Sequence, residues 1–242
     1  MKTNKQTTVI LCLFALLFLP LNIYAQVYPN TFIIFRDTVY MQDKDMTETM
    51  RLYKAAKEDT GKVFTGTELY LMLSRCEYLM GISFRAAGKN NESAAFFEHG
   101  IARAEESLAI SPTSEGYRLL GTNISFLCEV RPSFGLMNFT KIETYAKKAL
   151  ELDPNNLTAQ YLIAAFYIIA PWPFLDLRKG TALLGEITKQ DYYALEKEDL
   201  FNLYLMLELA CLKQKKTAEA LVWHEKAAGL YSSNNFISLL VK

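Results

Sequence analysis

Leu120-Gly121-Thr122-Asn123-Ile124 places an apolar residue, a small one and a second apolar residue three positions further on. The same order recurs as Met80-Gly81 with Phe84 and Ile163-Ala164 with Tyr167, and, with Glu208 in place of the small residue, as Leu207-Glu208 with Cys211. The first members are 40, 43 and 44 residues apart, which makes this an internal repeat. A period of that length reads as stacked helical hairpins, because one hairpin cannot bury its own apolar face. Stacked hairpins build an extended curved surface and rarely carry chemistry of their own, so the repeat points to binding.

The second half of the units supports this, cleanly in two, acceptably in one and with bulky residues in one. Helices approach closely only where side chains on one face are small at i, i+4 and i+7. Those places hold Gly100, Ala104 and Ser107; Ile142, Ala146 and Ala149; Gly180, Leu184 and Ile187; and Ala220, His224 and Ala227. Between them, Ala146-Lys147-Lys148-Ala149-Leu150-Glu151-Leu152-Asp153-Pro154-Asn155-Asn156, followed by Ile163-Ala164 and Tyr167, resembles a tetratricopeptide repeat junction, and Ala220 to Ala227 resembles the second helix of another. The resemblance covers residues 67–231. It implies a right-handed superhelix of antiparallel helix pairs that binds peptides or partner proteins in a concave groove. The units here exceed that family's usual period of about 34 residues, which calls for longer helices or looser loops. In overall pattern the chain is also similar to bacterial extracytoplasmic proteins associated with tripartite ATP-independent periplasmic transporters.

Lys2 and Lys5 precede an apolar run from Val9 to Leu21, and Ile23-Tyr24-Ala25 ends it, the order of a secretory signal cleaved after Ala25. As a membrane span the run is too short, and Pro20 and Asn22 interrupt its end. The expected mature protein is therefore periplasmic or extracellular. Losing residues 1–25 leaves 24 basic against 26 acidic side chains, without the clustered positive charge that nucleic acid requires. Cys76, Cys128 and Cys211 each sit in an apolar helical stretch and read as small buried hydrophobes, although one disulfide is compatible with an oxidising compartment. Their spacing suits no zinc site.

The fold class is all-α: a solenoid of about four hairpins plus an N-terminal helix and a C-terminal cap. No sustained alternation or hairpin-turn dipeptide suggests a sheet. Residues 26–66 form an arm and first helix, with Gly61 closing that helix; residues 67–242 form the repeat domain. Helices are expected from Thr65 to Gly88, Ser93 to Pro112, Ser114 to Val130, Phe139 to Leu152, Pro154 to Ile169, Leu175 to Thr188, Lys197 to Lys213 and Thr217 to Tyr231, with Phe236 to Val241 capping the end. Arg131-Pro132-Ser133-Phe134-Gly135 is expected to break the chain, as is Pro171-Trp172-Pro173-Phe174.

No Ser/His/Asp arrangement, His-Glu-x-x-His or phosphate-binding glycine pattern is present, so no catalytic residue, cofactor or metal is expected. His224 falls in a helix-packing slot and His99 on a wet face. If the hairpins stack, positions two before and two after each leading residue line the concave wall. With their helical neighbours, these supply Arg75, Tyr78, Arg85, Arg118, Thr122, Tyr161, Asn202 and Leu205. Such a groove is basic and aromatic at one end and apolar at the other, which suits a protein segment with an acidic or carboxylate end. A small hydrophobic or carboxylate ligand is the alternative occupant. Trp172 and Phe174 either cover the edge between the third and fourth pairs or offer aromatic anchors to a partner. Stacked repeats with open ends are also compatible with homo-oligomers.

Overall fold

The computed structural model describes residues 28–236. The leader expected at residues 1–25 lies outside them, as does all of the expected cap beyond Phe236. Ten α-helices and a short 3-10 turn at Tyr192–Ala194 make up the regular structure of the described residues: α1 Asn30–Met41, α2 Met46–Val63, α3 Gly66–Ala86, α4 Asn90–Ile110, α5 Ser114–Val130, α6 Pro132–Leu152, α7 Leu157–Ile169, α8 Leu177–Ile187, α9 Lys197–Lys213 and α10 Thr217–Leu230. They pack as five consecutive antiparallel hairpins, an all-α solenoid among the described residues.

Of the arm or short helix expected over residues 26–42, the structure has the short helix, Asn30–Met41. α1 pairs with α2 as a fifth hairpin ahead of the four read from the repeat. The first helices of the hairpins touch in turn, α1 to α3, α3 to α5, α5 to α7 and α7 to α9, and α9 returns to α1. The solenoid thus closes into a ring of five helices running in one direction, with α2, α4, α6, α8 and α10 around the outside. The seam is tightly made. Tyr40 stacks on Tyr231 at 5.1 Å and meets Phe201 edge-on at 5.6 Å, while the Tyr231 hydroxyl donates to Asp37 at 2.8 Å.

Local chemistry sets the helix ends. Asp45, Thr113, Asn156 and Asp176 each accept a hydrogen bond from the backbone N–H three residues on, at 2.8–3.0 Å, satisfying donors that the first turn leaves open. Gly88 ends α3 at φ +72°, and Lys215 ends α9 in the same left-handed region at φ +61°. In both turns the next backbone N–H reaches back five residues, Lys89 to Phe84 and Lys216 to Cys211, so the two hairpins share one turn geometry. Two expected breaks are absent. Gly61 lies inside α2, and α6 begins at Pro132, where proline is preorganised for a first helical position and its missing N–H costs nothing.

The small positions are where the layers meet. A Cβ on Gly100 would stand 2.1 Å from Oδ1 of fully buried Asn123, whose Nδ2 donates to Leu119 O and to Ser74 Oγ; Ser74 in turn donates to the Gly100 carbonyl at 2.8 Å. α3, α4 and α5 are locked by that network. His224 does not fill a packing slot. Its side chain is 50% exposed and bonds buried Glu208 at 3.2 Å. His99 is exposed, as its face suggests. All three described cysteines are free, Cys76 and Cys128 buried and Cys211 half-buried, and burial raises the Cys76 and Cys128 thiols to about 12 and about 11.

Candidate functional site: an axial channel

Ring closure turns the concave wall into the lining of a channel. An inner chamber of about 100 Å³ lies between α3, α5, α7 and α9, with Phe236 closing part of its wall. Tyr78, Arg85, Arg118, Thr122, Tyr161, Asn202 and Leu205 all line it. Arg75 stands nearer the N-terminal ends of the helices, at a vestibule of about 370 Å³ that shares Arg118, Thr158 and Asp199 with the chamber. At the C-terminal ends a wider vestibule of about 580 Å³ shares Ser125, Glu129 and Ile169 with the chamber and is bounded by Trp172 and Phe174. The eight wall residues and the two loop aromatics thus lie along one axis.

The waist is not an open trough in this structure; it holds about 100 Å³. Nor is the wall basic in effect. The Arg75 guanidinium pairs with Glu196 at 2.7 Å and with Glu198, and donates to the Tyr28 hydroxyl at 2.7 Å. Arg36 of α1 reaches Glu198 at 3.1 Å. Despite its burial, the Glu196 carboxyl is held down at about 2 by the Arg75 charge and by hydrogen bonds from Arg75 and Tyr28. Arg85 donates to Glu129 at 2.7 Å, and Arg118 binds Glu115, with its Nε at 2.8 Å. Each arginine expected to hold a partner's carboxylate already holds one of the chain's own.

Sequence reading missed Asp199, one helical turn before Asn202 on the same face of α9. Continuing the three-residue step back from Asn202 finds it. It borders both the chamber and the N-terminal vestibule. Burial, only partly offset by Arg118, pushes its carboxyl up to about 7. Glu129 was missed likewise, four residues beyond Ser125. Neither histidine lines the channel. No cluster of metal-ligating side chains occurs among the described residues.

The C-terminal mouth differs in character. Leu136 is 90% exposed, Trp172 88% and Met137 79%, and Phe174 and Leu175 are also exposed. The loop does not cover an edge with its tryptophan. Phe174 rests 6.1 Å from Phe139 and 6.4 Å from Phe166, which anchors the loop and leaves Trp172 facing outward. The Asp176 N–H donates to the Tyr167 carbonyl at 2.9 Å and holds the far end.

No family model matches the chain, and no curated protein matches it. Among solved structures it is similar to the nearly identical TPR-like repeats of a Podosopora anserina chain described as kinesin light chain, and to a point variant of that chain. Both are 13% identical over 83% of this chain and 92% of theirs, with TM-scores of 0.39 and 0.40. The hairpin architecture stands on the packing described above.

Proposed function

We propose that this chain is an exported, non-catalytic interaction scaffold that docks a partner protein on the apolar rim of its C-terminal mouth. One observation carries the reading: Leu136 and Trp172, 90% and 88% exposed, border a recess of about 580 Å³. Apolar side chains in such a cluster mark an interaction surface, and large anchors beside a recess are where binding energy concentrates. The repeat architecture supports a scaffold, and the leader-like run from Val9 to Leu21 supports export. The likeness to transporter-associated extracytoplasmic proteins makes a transport-system component the setting we favour.

The test uses purified protein as bait against an envelope extract of the source cells, beside a Leu136→Asp, Trp172→Ser double variant. Exposed substitutions of this kind leave stability within about 0.5 kcal/mol per site. The expected result is one specific partner retained by the wild type and lost by the variant at unchanged melting temperature. Equal capture by both proteins refutes docking at the rim. Recovery of the chain itself, with a matching mass by light scattering, assigns the rim to self-association instead.

A further inference from the structure

Four charged side chains line the inner chamber: Arg85, Arg118, Glu129 and Asp199. Arg85 is neutralised by Glu129, and Arg118 by Glu115 from the turn before it. Asp199 remains. Its carboxylate makes no hydrogen bond or ion pair with any described residue, although it borders an enclosed space. Arg118 and Arg75 offset only part of the cost of drawing this half-buried carboxylate away from water, and a cationic ligand in direct contact with it recovers more of that cost on binding. The rest of the lining fits a cation. Tyr78, Phe126 and Tyr161 surround the chamber with aromatic rings, and the Tyr161 hydroxyl likewise lacks a partner among the described residues. Aromatic rings beside a carboxylate favour ammonium groups, because a cation is attracted to the negative face of the ring. Beyond the rings, Leu205 and Met206 continue the wall toward Ile169 and the wider vestibule.

We propose that the chamber binds an organic ammonium group, with Asp199 as its counter-ion, the rings of Tyr78, Phe126 and Tyr161 as its walls, and an apolar tail running past Leu205 and Met206 into the C-terminal vestibule. About 100 Å³ accommodates the head and a few methylenes, and the vestibule takes the remainder. An anion is disfavoured, because both arginines at the chamber already face carboxylates. The charges acting on Asp199 are Arg118 and Arg75, which favour its ionised form, and Glu198 and Glu196, which oppose it; burial outweighs them all and holds the empty site near pH 7. A bound cation reverses that balance. Ligand affinity is therefore full above the Asp199 pKa and falls as pH drops through it.

Isothermal calorimetry on the full chain at pH 8 tests this with hexylammonium chloride and sodium hexanoate, which share a tail and differ in the sign of the head. Hexylammonium is expected to bind, and hexanoate to give no heat at ten times the concentration. Asp199→Asn, checked for folding by its circular dichroism, should weaken hexylammonium at least tenfold. The unmodified protein supplies an independent readout. Between pH 8 and pH 6 its hexylammonium affinity should fall about tenfold as Asp199 takes up a proton. Hexanoate binding as tight as hexylammonium, hexylammonium binding that is flat from pH 6 to 8 and untouched by Asp199→Asn, or no heat from either probe would each overturn the proposal.

Discussion

Asp199 sets a pH dependence opposite to the usual carboxylate. Its folded pKa of about 7 lies above the ordinary value of 3.8, so between those values the folded chain binds more protons than the unfolded one. Stability from this group is complete below about 3.8 and is lost as pH rises through 7. Asp199→Asn should therefore raise the melting temperature at pH 8 and leave it nearly unchanged at pH 4, as thermal scans at the two pH values will show. Gly100 illustrates a second single-residue constraint. Alanine ordinarily favours a helix over glycine by about 0.5–1 kcal/mol, but here its Cβ would meet Asn123 Oδ1 at 2.1 Å, and Asn123 is fixed by bonds to Ser74 and Leu119. Overpacking wins. Gly100→Ala should destabilise by about 3 kcal/mol in urea titration.

Helix ends and faces were the most legible features of the sequence, because each depends on neighbours three or four residues away. Ser114–Val130 and Lys197–Lys213 fall where periodicity and capping residues place them. Pro132 misled because proline both ends one helix and suits the first position of the next. The wall residues were legible as a set, since the repeat fixes which face of each hairpin turns inward. Their pairing was not, because Glu115, Glu129 and Glu196 reach the arginines from positions outside the repeat rule. Two of the departures from the small-residue pattern, Glu208 and His224, proved to be a single contact between α9 and α10. The turn after α9 offers a direct check. Lys215 holds the left-handed conformation that Gly88 holds after α3, at a steric cost that glycine does not incur. Lys215→Gly should raise stability by about 1 kcal/mol, read as a higher urea midpoint at unchanged slope, whereas a drop would show that the Lys215 side chain contributes more than its backbone strain costs.

Ring closure was beyond the sequence because its contacts join residues far apart in the chain, Asp37 with Tyr231, Arg36 with Glu198, and Arg75 with Glu196. An open solenoid is held only by contacts between neighbouring repeats and can fray from either end. Here Arg36 of α1 and Arg75 of α3 both reach Glu196 and Glu198 at the start of α9, so opening at either end must break part of that cluster. Cutting the tie at its centre should separate two kinds of stability. Arg75→Met keeps much of the side-chain volume but removes one of the two guanidiniums that hold Glu196 and Glu198, leaving Arg36 alone against both, at a cost of about 3 kcal/mol. Glu196 adds a pH signature. With a folded pKa of about 2 against an ordinary 4.5, its contribution is present above pH 4.5 and is lost as pH falls toward 2. Much of that contribution disappears in the variant, because Arg75 is its main source. The penalty of Arg75→Met should accordingly be large at pH 7 and shrink below pH 4. By hydrogen exchange, α1 and the first turn of α9 should lose protection together while α5 and α6 keep theirs. If the whole chain lost protection evenly, the cluster would be acting on one cooperative core rather than as the clasp of a ring.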